Sequence, residues 1–334
     1  MKKILIVGCG SIGKRHAENA SRISQTAVFD VNTQAASATA RSLKIPFFQT
    51  LEEGLSWRPD GVVIATPNHT HIKIAHYVVA FGADVLIEKP LSYSLNDVGH
   101  FLEEAEKKGC RVIVACNMRF HPAIKSVHSH LSKIGRPYFA RAHYGNYLPD
   151  MRPGVDYRKL YCAHRTMGGG VIFDAIHEID YLMWFFGQVE TVLCKANRLS
   201  SLDIDVEDYA SINLCFTSGM CAELHLDYLQ RAKRRGVEIV GSEGTIIWNS
   251  DGKFPEQCSV KLYTPDNGWQ VIYAEKALDA NEMYLELMQK FILALESSYI
   301  ELLNGRQAAE ELDVVFAAKK SAAEGRLISL KVER

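Results

Sequence analysis

KILIVGCGSIGKRH, residues 3–16, decides the reading of the amino-terminal half of the chain. Its first six residues form a β-branched apolar run that closes on a glycine, the pattern of a strand buried on both faces. Gly8-Cys9-Gly10-Ser11-Ile12-Gly13 follows at once, and the segment from Ile12 to Ser21 reads as a helix. In this strand–turn–helix setting each glycine has a task. Gly8 permits the tight turn, Gly10 lets an anion approach the backbone, and Gly13 allows the helix to pack closely on the strand. The helix N-terminus, where Ser11 and Ile12 lie, directs amide donors and the positive end of its dipole at a phosphate. AVFD (27–30) reads as a second strand, and Asp30 falls about 20 residues after the first glycine, where an acidic ribose ligand belongs. A carboxylate there accepts hydrogen bonds from the ribose hydroxyls of an adenosine and repels a 2′-phosphate. The stretch indicates a dinucleotide, with NAD favoured; NADP stays open because Arg41 or Lys44 could reach a 2′-phosphate.

Outward from this stretch, GVVIAT (61–66), DVLIEKP (84–90) and RVIVACN (111–117) are further apolar runs of parallel-strand length. Segments 33–43, 70–81 and 94–108 between them carry helical periodicity. Strand–helix alternation with buried strands predicts a doubly wound parallel sheet. After about residue 120 the character changes. YFARAHYG, TVLCKANRL, ASINLCFTSG, MCAELHLDYL, GVEIVGSEG, GTIIWN and SVKLYT succeed one another with few helices between, which predicts an antiparallel or mixed sheet. NEMYLELMQKFILALES and AAEELDVVFAAKKSAAEG are helical and close the chain. The expected division is a dinucleotide-binding domain over 1–120 and an α/β domain over 121–334.

Composition agrees with this and excludes other classes. A chain of 334 residues is long enough for two domains at about 150 residues each. Its 38 Lys and Arg balance 39 Asp and Glu, which argues against a nucleic-acid surface along the chain. No apolar run reaches the ~18 residues of a membrane span. MKKILIVGCG has the lysines and apolar run of a signal peptide but enters a glycine turn instead of a cleavage region. The eight cysteines form no CxxC pair; they read as reduced, mostly buried thiols, and the expected compartment is cytoplasmic.

More motifs follow in order. Ala65-Thr66-Pro67-Asn68 ends a strand, with His71 three residues on, and Glu88-Lys89-Pro90 ends the next. Asn117, Arg119, Phe120 and Pro122 come after the last strand of the first domain. Gly168-Gly169-Gly170, Asp174, His177 and Asp180 open a helix in the second. This ordered set resembles the Gfo/Idh/MocA oxidoreductase family over nearly the whole chain, including VEIVGSEGTI and the terminal AAEGRLISL. The resemblance implies a Rossmann domain followed by an α/β domain whose large open sheet packs against another subunit, as a homodimer or homotetramer. It also implies hydride transfer between a nicotinamide and a hydroxyl-bearing carbon of a sugar, cyclitol or sugar derivative. Thr66, Pro67, Asn68, His71, Glu88, Lys89 and Asn117 become expected cofactor ligands beside Gly8, Gly10, Ser11, Ile12, Gly13 and Asp30. The family also contains non-catalytic NAD(P)-binding regulators, against which intact Lys89 and His177 argue, and NAD-dependent glycosidases, which the order of motifs does not separate from a dehydrogenase.

Oxidising a secondary alcohol sends a hydride to the nicotinamide and a proton to a base within hydrogen-bond reach. A lysine beside a cationic ring and partly desolvated is pushed toward its neutral form, which suits that task. Lys89 stands at the carboxyl end of a parallel strand, where ligands bind in such sheets, and it matches the family's active-site lysine. His177 is its expected acid–base partner, with Asp174 on a substrate hydroxyl; residues three apart on a helix share a face. The commonest family pattern has the histidine four residues after the aspartate, so here either the helix begins differently or one role has changed. His177-Glu178-Ile179-Asp180 lacks the second histidine of HExxH, and no metal is expected.

From Arg119 to Arg165 the chain has nine Lys and Arg against Asp150 and Asp156, with Tyr144, Tyr147, Tyr157 and Tyr161 interleaved. Arginine recognises carboxylate or phosphate bidentately, so Arg119, Arg158 and Arg165 suit an anionic sugar such as a sugar acid or nucleotide sugar. A solvated basic face or a subunit contact reads the same stretch equally well. No nucleic-acid or membrane partner is expected.

Overall fold

The apolar runs of the amino-terminal half are strands of one parallel sheet. In the computed structural model, which describes residues 1–253, 255–297 and 302–331, they alternate with helices. The order is β1 (Lys3–Val7), α1 (Ser11–Ser21), β2 (Gln25–Phe29), α2 (Thr33–Leu43), β3 (Phe47–Phe48), α3 (Leu51–Ser56), β4 (Gly61–Ile64), α4 (His71–Ala80), β5 (Asp84–Glu88), α5 (Val98–Lys107) and β6 (Val112–Ala115). The sheet order is β3-β2-β1-β4-β5-β6. Val7 pairs with Phe29 on one side and Ile64 on the other, so the order reverses at β1 and β4. That reversal opens a crevice at the carboxyl ends of the strands, the usual place for a ligand in such sheets. All four residues of β4 are buried, as a sheet covered on both faces requires.

The remaining elements build a different sheet. They are α6 (Pro122–His130), β7 (Pro137–Gly145), α7 (Val171–Asp174), α8 (Ile176–Phe186), β8 (Val189–Asn197), β9 (Tyr209–Phe216), β10 (Cys221–Asp227), β11 (Arg234–Gly241), β12 (Thr245–Ser250), β13 (Glu256–Thr264) and β14 (Gly268–Leu278). After them come α9 (Asn281–Ala294), α10 (Gly305–Glu324) and β15 (Ile328–Ser329). Nine strands lie in the order β14-β13-β12-β11-β7-β10-β9-β8-β15, antiparallel except for β7 beside β10. Along β9, Ala210, Ile212, Leu214 and Phe216 are buried while the residues between them are not. One face is packed and the other open, as the alternating sequence of these strands predicts.

Two compact units result: Met1–Asn117 with Asn281–Ala309, and Met118–Ala280 with Glu310–Arg334. Residues 281–309 differ from the expected division because α9 returns to the first unit. The amides of Asn19 on α1 and Asn281 exchange hydrogen bonds of 3.1 and 3.0 Å. The Phe291 ring occupies the space left by the missing side chain of Gly61, where a Cβ would stand 2.8 Å from it. The thiols are free among the described residues, and six are buried; Cys215 and Cys221 are the departures, facing each other across β9 and β10 with Sγ atoms 3.1 Å apart. Among the described residues no helix is long and apolar enough to cross a membrane.

Burial of charge marks the second unit. Glu178 on α8 is fully buried and accepts from both Nε and Nη2 of Arg235 on β11, the latter at 3.1 Å. Removing one member of a buried pair strands the other charge and costs about 3–5 kcal/mol. Arg235→Ala is expected to lower unfolding stability by about that amount, read from the urea midpoint at unchanged slope. A shift within error would contradict the pairing.

Candidate functional site

In the first unit, the glycine turn lies at the β1/β4 crevice. Gly8 has φ +102°, and a Cβ there would stand 2.4 Å from the Ala65 carbonyl oxygen at the end of β4. A Cβ on Gly13 would stand 1.9 Å from the Gly8 carbonyl oxygen. Position 10 is different: nothing lies within 4 Å of the place a Cβ would take. The turn is closed where helix and strand meet and open where a pyrophosphate would approach, which fits a dinucleotide. Gly10 also begins α1 without a side-chain cap, so the amides around Ser11, Ile12 and Gly13 have no such partner.

Asp30 braces this turn. Its Oδ2 accepts from the Cys9 amide at 2.6 Å and its Oδ1 from the Asn32 amide at 2.7 Å. Each oxygen keeps a second lone pair, so the half-buried carboxylate can hold the turn and still accept from a ribose. Burial pushes the Cys9 thiol up to about 11, leaving it protonated and unreactive.

The loops after β4 and β5 are tied together by His71. Its ring is fully buried, with Nδ1 2.9 Å from the Pro90 carbonyl and Nε2 2.9 Å from that of Thr66. Burial holds this ring below the usual histidine range, against the pull of the two carbonyls and Glu88. His71 thus touches the backbone beside Thr66 and Pro90 through both nitrogens. The Thr66 hydroxyl pairs with that of Thr70 at 2.7 Å; Pro67 is exposed and Asn68 buried. Lys89 is half-buried directly after β5, and the bond joining it to Pro90 is cis. Glu88 accepts from Nε2 of His16 at 2.6 Å. His16 is fully buried on α1 and was not singled out from the sequence, because its partner lies 72 residues away. Asn117 is buried just after β6.

In the second unit, Asp174 is the last residue of α7, and α8 starts only at Ile176, after a break at Ala175 (φ −93°, ψ 29°). Asp174 and His177 therefore do not share one continuous helix. Asp174 Oδ1 accepts from the Tyr161 hydroxyl at 2.6 Å. Burial, and then the negative charge of Asp174, push the phenols of Tyr144, Tyr161 and Tyr228 well above the usual range. These phenols keep their protons and can donate to oxygen. Lys233 is half-buried in the same electrostatic neighbourhood. Burial first, and Arg235 second, lower its ammonium below the usual range, with Glu256, Asp174 and Glu178 opposing. The sequence reading passed over it because its strand-end position carries no motif.

His177 is buried in the first turn of α8. Beyond it Glu178 and Asp180 are committed to arginines. Arg119 Nε and Nη2 each lie 2.7 Å from Asp180 Oδ1. Glu311, on α10, hydrogen-bonds Asp180 and lies 3.6 Å from Arg119 Nη2; burial, and then the Asp180 charge, push its carboxyl well above the usual range. Arg119 is therefore placed against α8 with 14% of its side chain exposed. Arg158 is exposed and bidentate to Asp156, both contacts 2.9 Å. Arg165 donates to the Asp205 carbonyl at 3.1 Å and lines a cleft of about 440 Å³ with Arg198, Glu207 and Lys319. Arg141 reaches Glu223 and Glu238 at 3.5 and 3.7 Å. Of the positive stretch from Arg119 to Arg165, Arg119 and Arg141 thus face carboxylates from elsewhere in the chain and Arg158 faces one within it.

Residues 2–116 match the model of the oxidoreductase family with an NAD-binding Rossmann fold, and residues 131–247 match the GFO/IDH/MocA C-terminal domain. The chain is 27% identical to the myo-inositol 2-dehydrogenase of Thermotoga maritima, over 98% of each. It is 25% identical to the D-apiose dehydrogenase of Paraburkholderia graminis, over 98% of this chain and 89% of that one. The fold is shared with the WlbA dehydrogenase of Bordetella pertussis, solved with NADH and UDP-GlcNAcA (TM-score 0.81, 22% identity, 99% of each chain). With the glycine turn, the lysine after β5 and the open sheet in place, the chain belongs to the Gfo/Idh/MocA family of NAD-dependent oxidoreductases.

Proposed function

We propose that the enzyme oxidises a secondary alcohol of a sugar, cyclitol or nucleotide sugar, or reduces the matching ketone, with Lys89 as the acid–base residue. The observation that carries this is the environment of Lys89: half-buried at the carboxyl end of β5, behind Glu88 and the buried His16, in the unit whose glycine turn is open at Gly10. NAD, when bound, supplies the hydride acceptor of the reaction. Gly8, Gly10, Ser11, Ile12 and Gly13 hold its phosphates, Asp30 its ribose, and the loops of Thr66, Pro67, Asn68, His71 and Asn117 its nicotinamide half. Lys89 takes the hydroxyl proton at Nζ as the hydride leaves carbon. His177, in the second unit, is the second acid–base residue of this reading, and Asp174, oriented by Tyr161, accepts from a second hydroxyl of the substrate.

The relatives' names support a polyol substrate, since they act on myo-inositol and D-apiose. An anionic group on it would be met by Arg165 in preference to Arg158, whose charge Asp156 already balances. The open face of the nine-stranded sheet, with Leu193, Tyr263, Trp269 and Val271 exposed, supports a homodimer or homotetramer formed there. Light scattering on the purified protein would test this, and a monomer at micromolar concentration would refute it. The compartment proposed is the cytoplasm, on the reduced cysteines.

Lys89→Met should lower kcat by about 10²–10⁴-fold while NAD titrates nearly as before; retained turnover would remove it as the base. His177→Ala should cut kcat at least about tenfold on the same argument, and an unchanged rate would leave it a packing residue. Turnover itself is read as nicotinamide absorbance with NAD and a panel of cyclitols, sugars, sugar acids and nucleotide sugars. Cleavage without accumulating NADH would turn the reading toward hydrolysis.

A hydrogen bond to a charged group contributes about 1.5–3 kcal/mol. Asp30→Ala should therefore weaken NAD by about tenfold or more and improve NADP. Asp30→Asn keeps an acceptor for the Cys9 amide and isolates the effect of charge. Calorimetric titration with both cofactors decides, and an unchanged preference contradicts the ribose assignment.

A further inference from the structure

Helices α4 and α5 bring two histidines and two carboxylates together in the first unit, in a cluster that the proposed hydride chemistry does not use. His76 lies on α4; Asp97 stands at the start of α5, which carries His100 and Glu104. His76 Nε2 is 3.0 Å from Asp97 Oδ2, and His76 Nδ1 is 2.7 Å from Glu104 Oε2. The other oxygen of Asp97 lies 3.5 Å from His100 Nδ1. One ligand atom from each of His76, Asp97 and His100 falls within 4.8 Å of the other two.

Three features distinguish this cluster from an ordinary surface ion pair. An aspartate that begins a helix commonly accepts from the amides of that helix, but Asp97 makes no such capping bond. Its carboxylate faces the imidazoles instead, on a backbone at φ 67°, uncommon for a residue with a side chain. Secondly, Glu104 occupies the far nitrogen of His76. That carboxylate–imidazole pairing fixes the tautomer and raises the basicity of a metal-bound histidine. Thirdly, one ligand atom from each of the three residues already lies within 4.8 Å of the others, so a short contraction brings them to the roughly 3.3–3.6 Å spacing of ligands about a tetrahedral ion.

We propose that His76 Nε2, Asp97 and His100 bind a borderline divalent cation of the zinc type, with Glu104 as the outer carboxylate on His76 Nδ1. Imidazole nitrogen with a single carboxylate favours zinc, cobalt or nickel over magnesium or calcium. Two neutral imidazoles and one carboxylate leave such a dication at a net charge of plus one, which the Glu104 carboxylate offsets. His76 and Asp97 also line a cleft of about 450 Å³ with Lys73, Tyr77 and Tyr93, which gives water access to a remaining coordination position. A bound cation joins α4 to the segment that runs from Lys89 and Pro90 into α5, and so fixes the loop behind the proposed base.

The test is a zinc titration of the full chain, stripped of metal and competed against a chromophoric chelator at neutral pH. One tight equivalent is expected. His100→Ala and Asp97→Asn should each weaken it at least about tenfold, and Glu104→Gln by about tenfold as the loss of an outer partner. His100 has 74% of its side chain exposed, so its replacement leaves the fold intact, with circular dichroism as the check. Cobalt in place of zinc should give a visible spectrum of nitrogen and oxygen ligation. The proposal is overturned if the wild type binds zinc no more tightly than the His76→Ala/His100→Ala double variant, or if cobalt shows a thiolate charge-transfer band.

Discussion

Helix α1 meets the Gly8 turn so closely that a β-carbon at position 13 would stand 1.9 Å from the Gly8 carbonyl oxygen. The proposed cofactor site of the first unit depends on that contact. Because α1 sits directly on the turn, its first amides emerge at the carboxyl ends of β1 and β4, where the sheet order reverses. The turn is held from two further directions. Ala65 of the loop after β4 fills the space beside Gly8, and Asp30 beyond β2 grips the Cys9 amide. A turn fixed on three sides does not need to reorganise when an anion arrives, and avoiding reorganisation is what makes such donors effective. The same helix carries His16 to Glu88, so the placement of α1 also sets the residue before Lys89.

The second unit reaches precision by another route. Two carboxylates on α8, Glu178 and Asp180, are fully buried, and a buried carboxylate is tolerable only where a cation and hydrogen bonds meet it. Arg235 meets the first and Arg119 the second. Glu311 joins the second cluster 3.6 Å from Arg119, its carboxyl pushed well above the usual range by burial and by Asp180. Apolar replacements of such pairs can be as stable; what the pairs add is direction, since α8 satisfies both arginines in one position along its axis. His177 is adjacent to Glu178 in sequence and is held by the same constraint.

The sequence displays what is periodic or local. Strands covered on both faces leave uninterrupted apolar runs, so β1, β4, β5 and β6 were legible as strands, and the motifs at their ends were legible with them. The helix over 33–43 coincides with α2, which Asn32 caps through hydrogen bonds to the amides of Gln34 and Ala35. What could not be read are contacts between residues far apart. His16 finds Glu88 across 72 positions and Arg119 finds Asp180 across 61; neither separation leaves a pattern. The return of α9 to α1 is of this kind, decided by two asparagine amides and a ring over Gly61. A charge count along 119–165 is blind in the same way, because the carboxylates opposite Arg119 and Arg141 come from beyond that stretch.

The short interval between Asp174 and His177 shows how such a departure is accommodated. On one continuous helix, three residues would put both side chains on a single face, and losing a residue from the commoner spacing would rotate one against the other. The break at Ala175 removes that coupling, since α7 ends at Asp174 and α8 starts afresh at Ile176. The position of His177 then follows from α8, hence from Arg235 and Arg119. Asp174 is governed separately, by Tyr161 and the buried phenols around it. Two residues that look like one motif in the sequence are thus positioned by independent sets of contacts.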